Sequence, residues 1–182
     1  METFNGRGAM IFLDLINFQK LRRVILYVFC LLAAFWLQFS VFSRVTLPGA
    51  VKPFFIPAVV AAIGLWEGGV WGGLFGLAVG AYCDGNFMSS TATFLLLFTV
   101  LGFFSGVLAD YVVNRRFVAF ALLSLAALSL TALFQIFPLW VFHGASPAEL
   151  LPVAGLQALW SWPFAAPAYF AVRAVARSGG ER

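Results

Sequence analysis

The stretch of sequence that decides the fold runs from residue 67 to residue 84 and reads EGGVWGGLFGLAVGAYCD. Every fourth position in it is a glycine, and an aspartate continues the row: Gly68, Gly72, Gly76, Gly80 and Asp84. Positions four apart lie nearly above one another on an α-helix, so this spacing predicts a flat groove with a carboxylate at its end. In water, each glycine would cost such a helix about 1 kcal/mol relative to alanine. In a bilayer, small residues instead let a neighbouring helix approach closely, so the stretch predicts a buried helix of a membrane bundle.

The composition of the 182-residue chain is that of a membrane protein. Hydrophobic residues make up 63% of it and charged residues only 10%, whereas a typical soluble domain has about 25% charged residues. Such a chain cannot bury all its apolar surface internally, so lipid must cover part of it. The net charge of +4 comes from basic residues near the chain ends and in one internal turn. This distribution favours orientation in a lipid bilayer over nucleic-acid binding.

The apolar segments predict an all-α, polytopic membrane helix bundle of about six transmembrane helices, of which the second and third are short. These segments cover residues 24–43, 53–66, 68–83, 91–113, 117–142 and 150–172. A single helix over 53–83 would be about 46 Å long, which exceeds any reasonable tilt. Residues 53–83 therefore form either two antiparallel passes or a re-entrant hairpin. The predicted organisation is an interfacial N-terminal segment, 1–23, a single transmembrane domain, 24–176, and a cytoplasmic tail, 177–182.

The basic residues predict the orientation of the bundle. With an even number of crossings, nine lysines and arginines lie on one side of the membrane and only two, Arg44 and Lys52, lie on the other. Because basic residues accumulate on the cytoplasmic side, we expect both termini there. Asp84 then faces outward.

Three polar residues within or at the ends of the predicted spans are candidate functional residues: Gln38, Asp84 and Asp110. Burying such groups in a bilayer is expensive, so they either serve a function or hold the bundle together. The structural alternative for Gln38 is a hydrogen bond between helices. For Asp84 it is a helix-end turn whose carboxylate accepts backbone hydrogen bonds. For Asp110 it is a charge paired at the membrane surface with Arg115 or Arg116.

A second, shorter row of small residues repeats the four-residue spacing in the fourth apolar segment. It consists of Gly102 and Gly106 followed by Asp110. The repeat predicts that two helices meet through their small-residue faces. We therefore expect the groove of Gly72, Gly76 and Gly80 to receive another helix, either within the bundle or from a partner protein.

The sequence contains no persuasive catalytic or metal-binding constellation. His143 is the only histidine, so a multi-histidine metal site lacks a second imidazole. The predicted topology places Glu67 and Asp110 inside and Asp84 and Glu149 outside, so only pairs on one side could act together in acid–base chemistry. We therefore expect no catalytic residue, metal or cofactor, and an enzyme is the least favoured class of function.

Several of these features together resemble the MreD family of rod-shape-determining proteins. They are a glutamine late in the first span (Gln38), a proline opening the second segment (Pro57), a glycine-stepped helix ending in aspartate (Gly76, Gly80, Asp84), and a Trp and Pro cluster before a basic tail (Trp160, Trp162, Pro163). Their order and spacing match across most of the chain. The resemblance implies a multi-pass protein of the bacterial cytoplasmic (inner) membrane.

The resemblance also implies a function and its partners. A protein of this family is a non-enzymatic scaffold of the cell-elongation (rod) complex, which supports peptidoglycan synthesis and cell shape. It binds the bitopic protein MreC and, through MreC, the RodA glycosyltransferase with its penicillin-binding transpeptidase.

The family is similar in shape to the substrate-binding subunits of energy-coupling-factor vitamin transporters, which supplies the alternative function. Such a subunit needs a pair of small residues four apart in its first helix for docking on the coupling subunit. Here the first span has Ala33 and Ala34 followed by the bulky Trp36, and the pair Ala58 and Ala62 lies in the next segment. The scaffold is therefore the favoured function.

Overall fold

A computed structural model describes residues 18–42, 44, 52–86, 92–111, 117–144 and 146–178 of the chain. Within these ranges the regular structure is entirely helical. The α-helices are α1 (Phe18–Leu37), α2 (Ile56–Glu67), α3 (Gly69–Asn86), α4 (Thr93–Tyr111), α5 (Phe117–His143), α6 (Pro147–Ser161) and α7 (Ala165–Ser178). A π-helical turn, Gln38–Phe42, extends α1, and a 3-10 turn, Trp162–Phe164, joins α6 to α7.

Three helical segments are long and apolar enough to cross a membrane: Leu21–Phe42, Thr93–Tyr111 and Phe117–Val141. The side chains that they expose include large hydrophobic ones, such as Phe29, Trp36, Leu96 and Leu122. An apolar outer surface of this kind is stable when lipid covers it. The prediction of an all-α membrane protein is confirmed at this level.

The short helix α2 forms the centre of the bundle. All its residues from Ile56 to Leu65 are buried, and α1, α3, α4, α5 and α7 all contact it. Pro57 lies in its first turn, where the missing N–H would have no helical partner. The helix is short, as the sequence predicts, but its 12 residues begin three positions later than the predicted segment 53–66. Other helices surround it on every side.

The chain reverses direction between α2 and α3 at Gly68. This residue has a φ of +91°, in the region that favours glycine, and its N–H donates to the Gly64 carbonyl oxygen at 2.9 Å. Residues 53–86 therefore form an antiparallel pair of helices. With 18 residues, α3 is longer than its predicted extent of 68–83, because it continues to Asn86, whose side-chain amide donates to the Tyr82 carbonyl oxygen.

Polar contacts bring several helix ends together at one end of the bundle, which we call the basic end. There Arg22 Nη2 donates to the Ser178 carbonyl oxygen at 3.4 Å, and Arg23 Nη1 lies 3.9 Å from Glu67 Oε1. The basic end thus holds the start of α1, the α2–α3 turn and the end of α7. The end of α1 lies at the opposite end, where Gln38 contacts the residues that open α2.

The last predicted span, 150–172, corresponds to one helical path from Pro147 to Ser178. The 3-10 turn Trp162–Phe164 interrupts this path at Pro163, where the sequence predicts a kink because proline lacks a backbone donor. Parts of the predicted flanking segments, residues 1–17 and 179–182, lie outside the described residues, and so do Arg115 and Arg116. Residues 18–23 of the predicted N-terminal segment already belong to α1.

Candidate functional site

The predicted glycine groove lies where α3 meets α4, the most extensive helix–helix interface in the described part of the chain. A Cβ atom at Gly72 would collide with the Gly102 carbonyl oxygen, and one at Gly102 would collide with the Gly72 carbonyl oxygen. A Cβ at Gly106 would strike the backbone of Gly69. The two rows of small residues therefore face each other in antiparallel order, with their backbones in direct contact.

The interface continues toward the start of α4. A Cβ atom at Gly76 would collide with the Phe98 carbonyl group, and one at Gly80 would lie 2.5 Å from Leu95 Cα. The groove is thus occupied by a helix of the same chain along the whole glycine row. A partner helix has to bind elsewhere.

A glycine that the sequence reasoning did not single out completes this interface. A Cβ at Gly72 would lie 2.6 Å from the Cα of Gly64 in α2, and a Cβ at Gly64 would collide with Ser105 Oγ of α4. Three helices therefore meet at close range, α2 and α3 through their backbones and α2 and α4 through backbone and the small Ser105 hydroxyl. The signal was present in the sequence, because one more step of four residues back from Gly68 reaches Gly64.

Asp84 joins the end of α3 to the start of α4. Its Oδ1 accepts a hydrogen bond from the Phe94 N–H at 3.0 Å, and its Oδ2 accepts one from the Leu95 N–H at 2.8 Å. These donors belong to the first turn of α4, where backbone N–H groups have no helical partner and the helix dipole favours a negative charge. The Asp84 carboxylate therefore accepts backbone hydrogen bonds, as in the structural alternative given for this residue. The helix that it caps is the following one, α4.

Gln38 joins the end of α1 to the start of α2. Its side chain is only 6% exposed. The amide nitrogen donates to the Pro53 carbonyl oxygen at 2.7 Å, and the amide oxygen accepts from the Phe55 N–H at 3.3 Å. This one side chain therefore satisfies two backbone groups that the start of α2 would otherwise leave buried without partners.

Asp110 lies at the basic end, near the last residue of α4. Its side chain is exposed, and Oδ2 would lie 3.7 Å from a Cβ atom at Gly68. The residue therefore stands beside the α2–α3 turn. The basic turn with which the sequence pairs it lies outside the described residues.

The structure reveals a polar cluster at the basic end that the sequence reasoning missed. The hydroxyl of the buried Tyr27 donates to Glu67 Oε1 at 2.7 Å, and Arg23 lies next to the same carboxylate. Arg23 and Tyr27 are four residues apart on α1 and share one face. The cluster attaches α1 to the end of α2 and partly neutralises the charge of Glu67.

A cavity of about 540 Å³ lies at the opposite end of the bundle. The π-helical turn, the starts of α2 and α4, and parts of α5 and α6 surround it. Aromatic rings and prolines form most of its wall, and its main polar groups are Gln38, Lys52, Gln135 and Gln157. Its volume falls in the range of about 300–1,000 Å³ that is typical of small-molecule sites.

Hydrogen bonds fix the polar side of this cavity. Gln157 Nε2 donates to Gln135 Oε1 at 3.1 Å, which links α6 to α5. The buried Ser161 hydroxyl donates to the Gln157 carbonyl oxygen at 2.7 Å and accepts from the Phe54 N–H at 2.8 Å. The sequence signal for these residues was their polarity within apolar helices, where side-chain amides bond to a neighbouring helix.

The described residues offer little support for metal chemistry. Among them, no group of three or more His, Cys, Asp or Glu side chains could hold a metal ion. The polar groups that line the cavity are three glutamine amides, the Thr93 hydroxyl and the Lys52 ammonium group. These groups can bind and orient a molecule by hydrogen bonds and charge.

No protein-family model matches the chain, and comparisons with curated proteins and with solved structures gave no match.

Proposed function

We propose that the chain is a non-enzymatic scaffold of the MreD type in the bacterial inner membrane, where it takes part in the cell-elongation complex. In this proposal MreC binds it directly, and RodA with its transpeptidase is held through MreC. Six helical crossings with both termini in the cytoplasm complete the proposal. The segregation of Arg22, Arg23 and Arg177 to the basic end supports this orientation, because that end then faces the cytoplasm.

One observation carries the scaffold proposal: residues on which the resemblance depends hold the bundle together. Gln38 joins α1 to α2, and Asp84 joins α3 to α4. Gly76 and Gly80 bring α3 and α4 into backbone contact, and Pro57 opens the central helix. A membrane protein whose glycines and polar side chains hold its own helices in place offers a rigid frame on which partners can be held.

The glycine groove is not available to a partner protein. Because α4 fills the groove, a helix of MreC has to bind an outer, lipid-facing side of the bundle. Four exposed apolar residues, each on a different helix, mark four such sides and serve as test positions. They are Leu32 of α1, Leu74 of α3, Leu122 of α5 and Phe170 of α7.

Site-specific photocrosslinking in a bacterial host tests the proposal. A photoreactive amino acid is introduced at each of these four positions, and crosslinked products are identified by mass spectrometry. We expect MreC to crosslink at one position or at two neighbouring ones. The matched control is Val60, which is fully buried in α2 and should capture no other protein. If MreC is captured at none of the four positions, the proposal is refuted.

The cavity favours a second candidate, the substrate-binding subunit of an energy-coupling-factor-type vitamin transporter. A cavity of about 540 Å³ with three amide side chains in its wall has the size and polarity of a small-molecule site. The first span lacks the small-residue pair that this candidate needs, and the pair in the next segment does not replace it, because Ala58 and Ala62 are both 0% exposed. Gentle detergent extraction separates the two: a coupling ATPase would accompany a transporter subunit, and cell-wall synthases would accompany a scaffold.

A further inference from the structure

The cavity reaches the lipid-facing surface of the bundle. Two of its wall residues, Phe39 of the π-helical turn and Phe134 of α5, are 38% and 42% exposed. On α5 the neighbouring Leu133 and Phe137 are exposed apolar residues as well. Both Phe39 and Phe134 belong to helical segments long and apolar enough to cross a membrane, so this part of the wall suits a molecule that comes from the hydrocarbon region. Such surroundings favour a ligand with an apolar tail.

A positive charge lies in the wall of the same cavity. Lys52 is exposed and, among the residues that the structure describes, has no acidic side chain within ion-pair distance. The carboxylate of Asp84 is engaged by the backbone of α4. Within the described ranges, the ammonium group of Lys52 is therefore available to an anion, as three donors on a flexible stem.

The two glutamines on the far wall add neutral hydrogen-bonding groups. The bond between them uses one donor of Gln157 and one lone pair of the Gln135 oxygen. Each amide has two donors and two lone pairs, so the Gln135 NH₂ group remains to donate to a ligand. The Gln38 amide, in contrast, bonds to the backbone of Pro53 and Phe55 and mainly shapes the cavity.

We propose that this cavity binds an anionic amphiphile from the bilayer, with its apolar tail against Phe39 and Phe134 and its phosphate or carboxylate head at Lys52 and the Gln135 amide. Burying the tail against the aromatic wall removes apolar area from water or headgroups. The ion pair with Lys52 and the amide hydrogen bond select a charged head over a zwitterionic one. The site is independent of the scaffold proposal, because it lies inside the bundle and needs no protein partner.

Native mass spectrometry of the full chain in a neutral detergent tests this site. The probe is oleoyl lysophosphatidylglycerol, which has one tail and an anionic head, and oleoyl lysophosphatidylcholine is the zwitterionic comparison. We expect one anionic molecule retained per chain and several-fold less of the zwitterionic one. Glycerol 3-phosphate provides the anion without a tail and should not compete at equal concentration.

Three variants locate the binding to the cavity. A charge-assisted hydrogen bond contributes enough that Lys52→Gln should weaken retention by about tenfold. Gln135→Leu should weaken it severalfold while keeping the side-chain volume. The matched control is Arg44→Gln, which removes the other basic charge predicted on this side of the membrane and lies outside the cavity wall. It should bind as the wild type does.

Several outcomes would overturn the proposal. Equal retention of both lipids, or equal weakening by Lys52→Gln and Arg44→Gln, would indicate general surface adsorption. Competition by glycerol 3-phosphate would indicate a site for soluble anions, and competition by a vitamin would indicate the transporter subunit. Unfolding temperatures of all variants show whether a lost ligand reflects a lost fold, and the Gln135→Leu result decides the matter if Lys52→Gln is unstable.

Discussion

Replacing Gly76 with alanine is the sharpest test of the glycine interface. The added Cβ would collide with the Phe98 carbonyl oxygen and lie 2.6 Å from its carbon, whereas ordinary contact begins at 3.4 Å. The helices must therefore separate by at least about 0.8 Å to relieve the contact with the carbon, and by more to relieve the contact with the oxygen. A gap of about 0.5–1 Å already forfeits roughly a quarter to a half of the dispersion energy of each affected contact. Overpacking of this kind costs about 1–3 kcal/mol.

The matched control is Gly73→Ala in the same helix. A Cβ at Gly73 would lie 3.5 Å from the Phe103 Cβ, which is ordinary van der Waals contact. Both substitutions raise helix propensity equally, so their difference isolates the close approach of α3 and α4. The control should be at least as stable as the wild type.

Thermal unfolding of the detergent-purified protein measures this difference. A loss of 1 kcal/mol lowers the unfolding temperature of a chain of this size by about 2–4 °C. We therefore expect Gly76→Ala to unfold about 2–12 °C below Gly73→Ala. Equal unfolding temperatures would show that the backbones of α3 and α4 are not in contact at Gly76, and would refute the reasoning.

Three further predictions use the same unfolding measurement. Asp84→Ala leaves two first-turn donors of α4 uncapped and should cost about 0.5–2 kcal/mol; Asp84→Asn keeps one acceptor oxygen and should cost less, and the reverse order would contradict the cap. Gln38→Leu should cost about 1–3 kcal/mol because it leaves a carbonyl and an N–H at the start of α2 buried without partners; wild-type stability would mean that water reaches them. Tyr27→Phe should cost about 1 kcal/mol by removing the donor to Glu67, and the loss should vanish when Glu67→Leu, which removes the acceptor, is already present.

The coarse fold could be predicted from the sequence because lipid imposes simple rules on it. Apolar length marks the long helices, and the four-residue glycine spacing marks the faces that lie together in α3 and α4. The reversal at Gly68 could be predicted because one continuous helix would be too long for the bilayer. The ends of the helices were predicted less accurately. The first span was predicted to begin at residue 24, but α1 begins at Phe18, because its helical hydrogen bonding includes Lys20, Arg22 and Arg23.

The polar sites were harder to predict because they depend on which helices become neighbours. Gln38 and Asp84 were recognisable as unusual, but their partners are backbone groups of Phe55 and Leu95, which no sequence pattern marks. The cavity needs Gln135 and Gln157 from two helices to meet. Their meeting follows from the packing of α5 on α6, which spacing within one helix cannot specify.

The enclosed position of α2 has a consequence for the way the protein is made. Its 12 residues rise only about 18 Å, well short of a hydrocarbon core of about 30 Å. The chain around it is synthesised in order, yet α4, α5 and α7, which cover α2, all emerge from the ribosome after it. Insertion one span at a time would leave α2 too short for the bilayer and without its neighbours. We therefore expect α2 and α3 to enter the membrane together as a hairpin, and the surroundings of α2 to be completed only when the later helices pack against it.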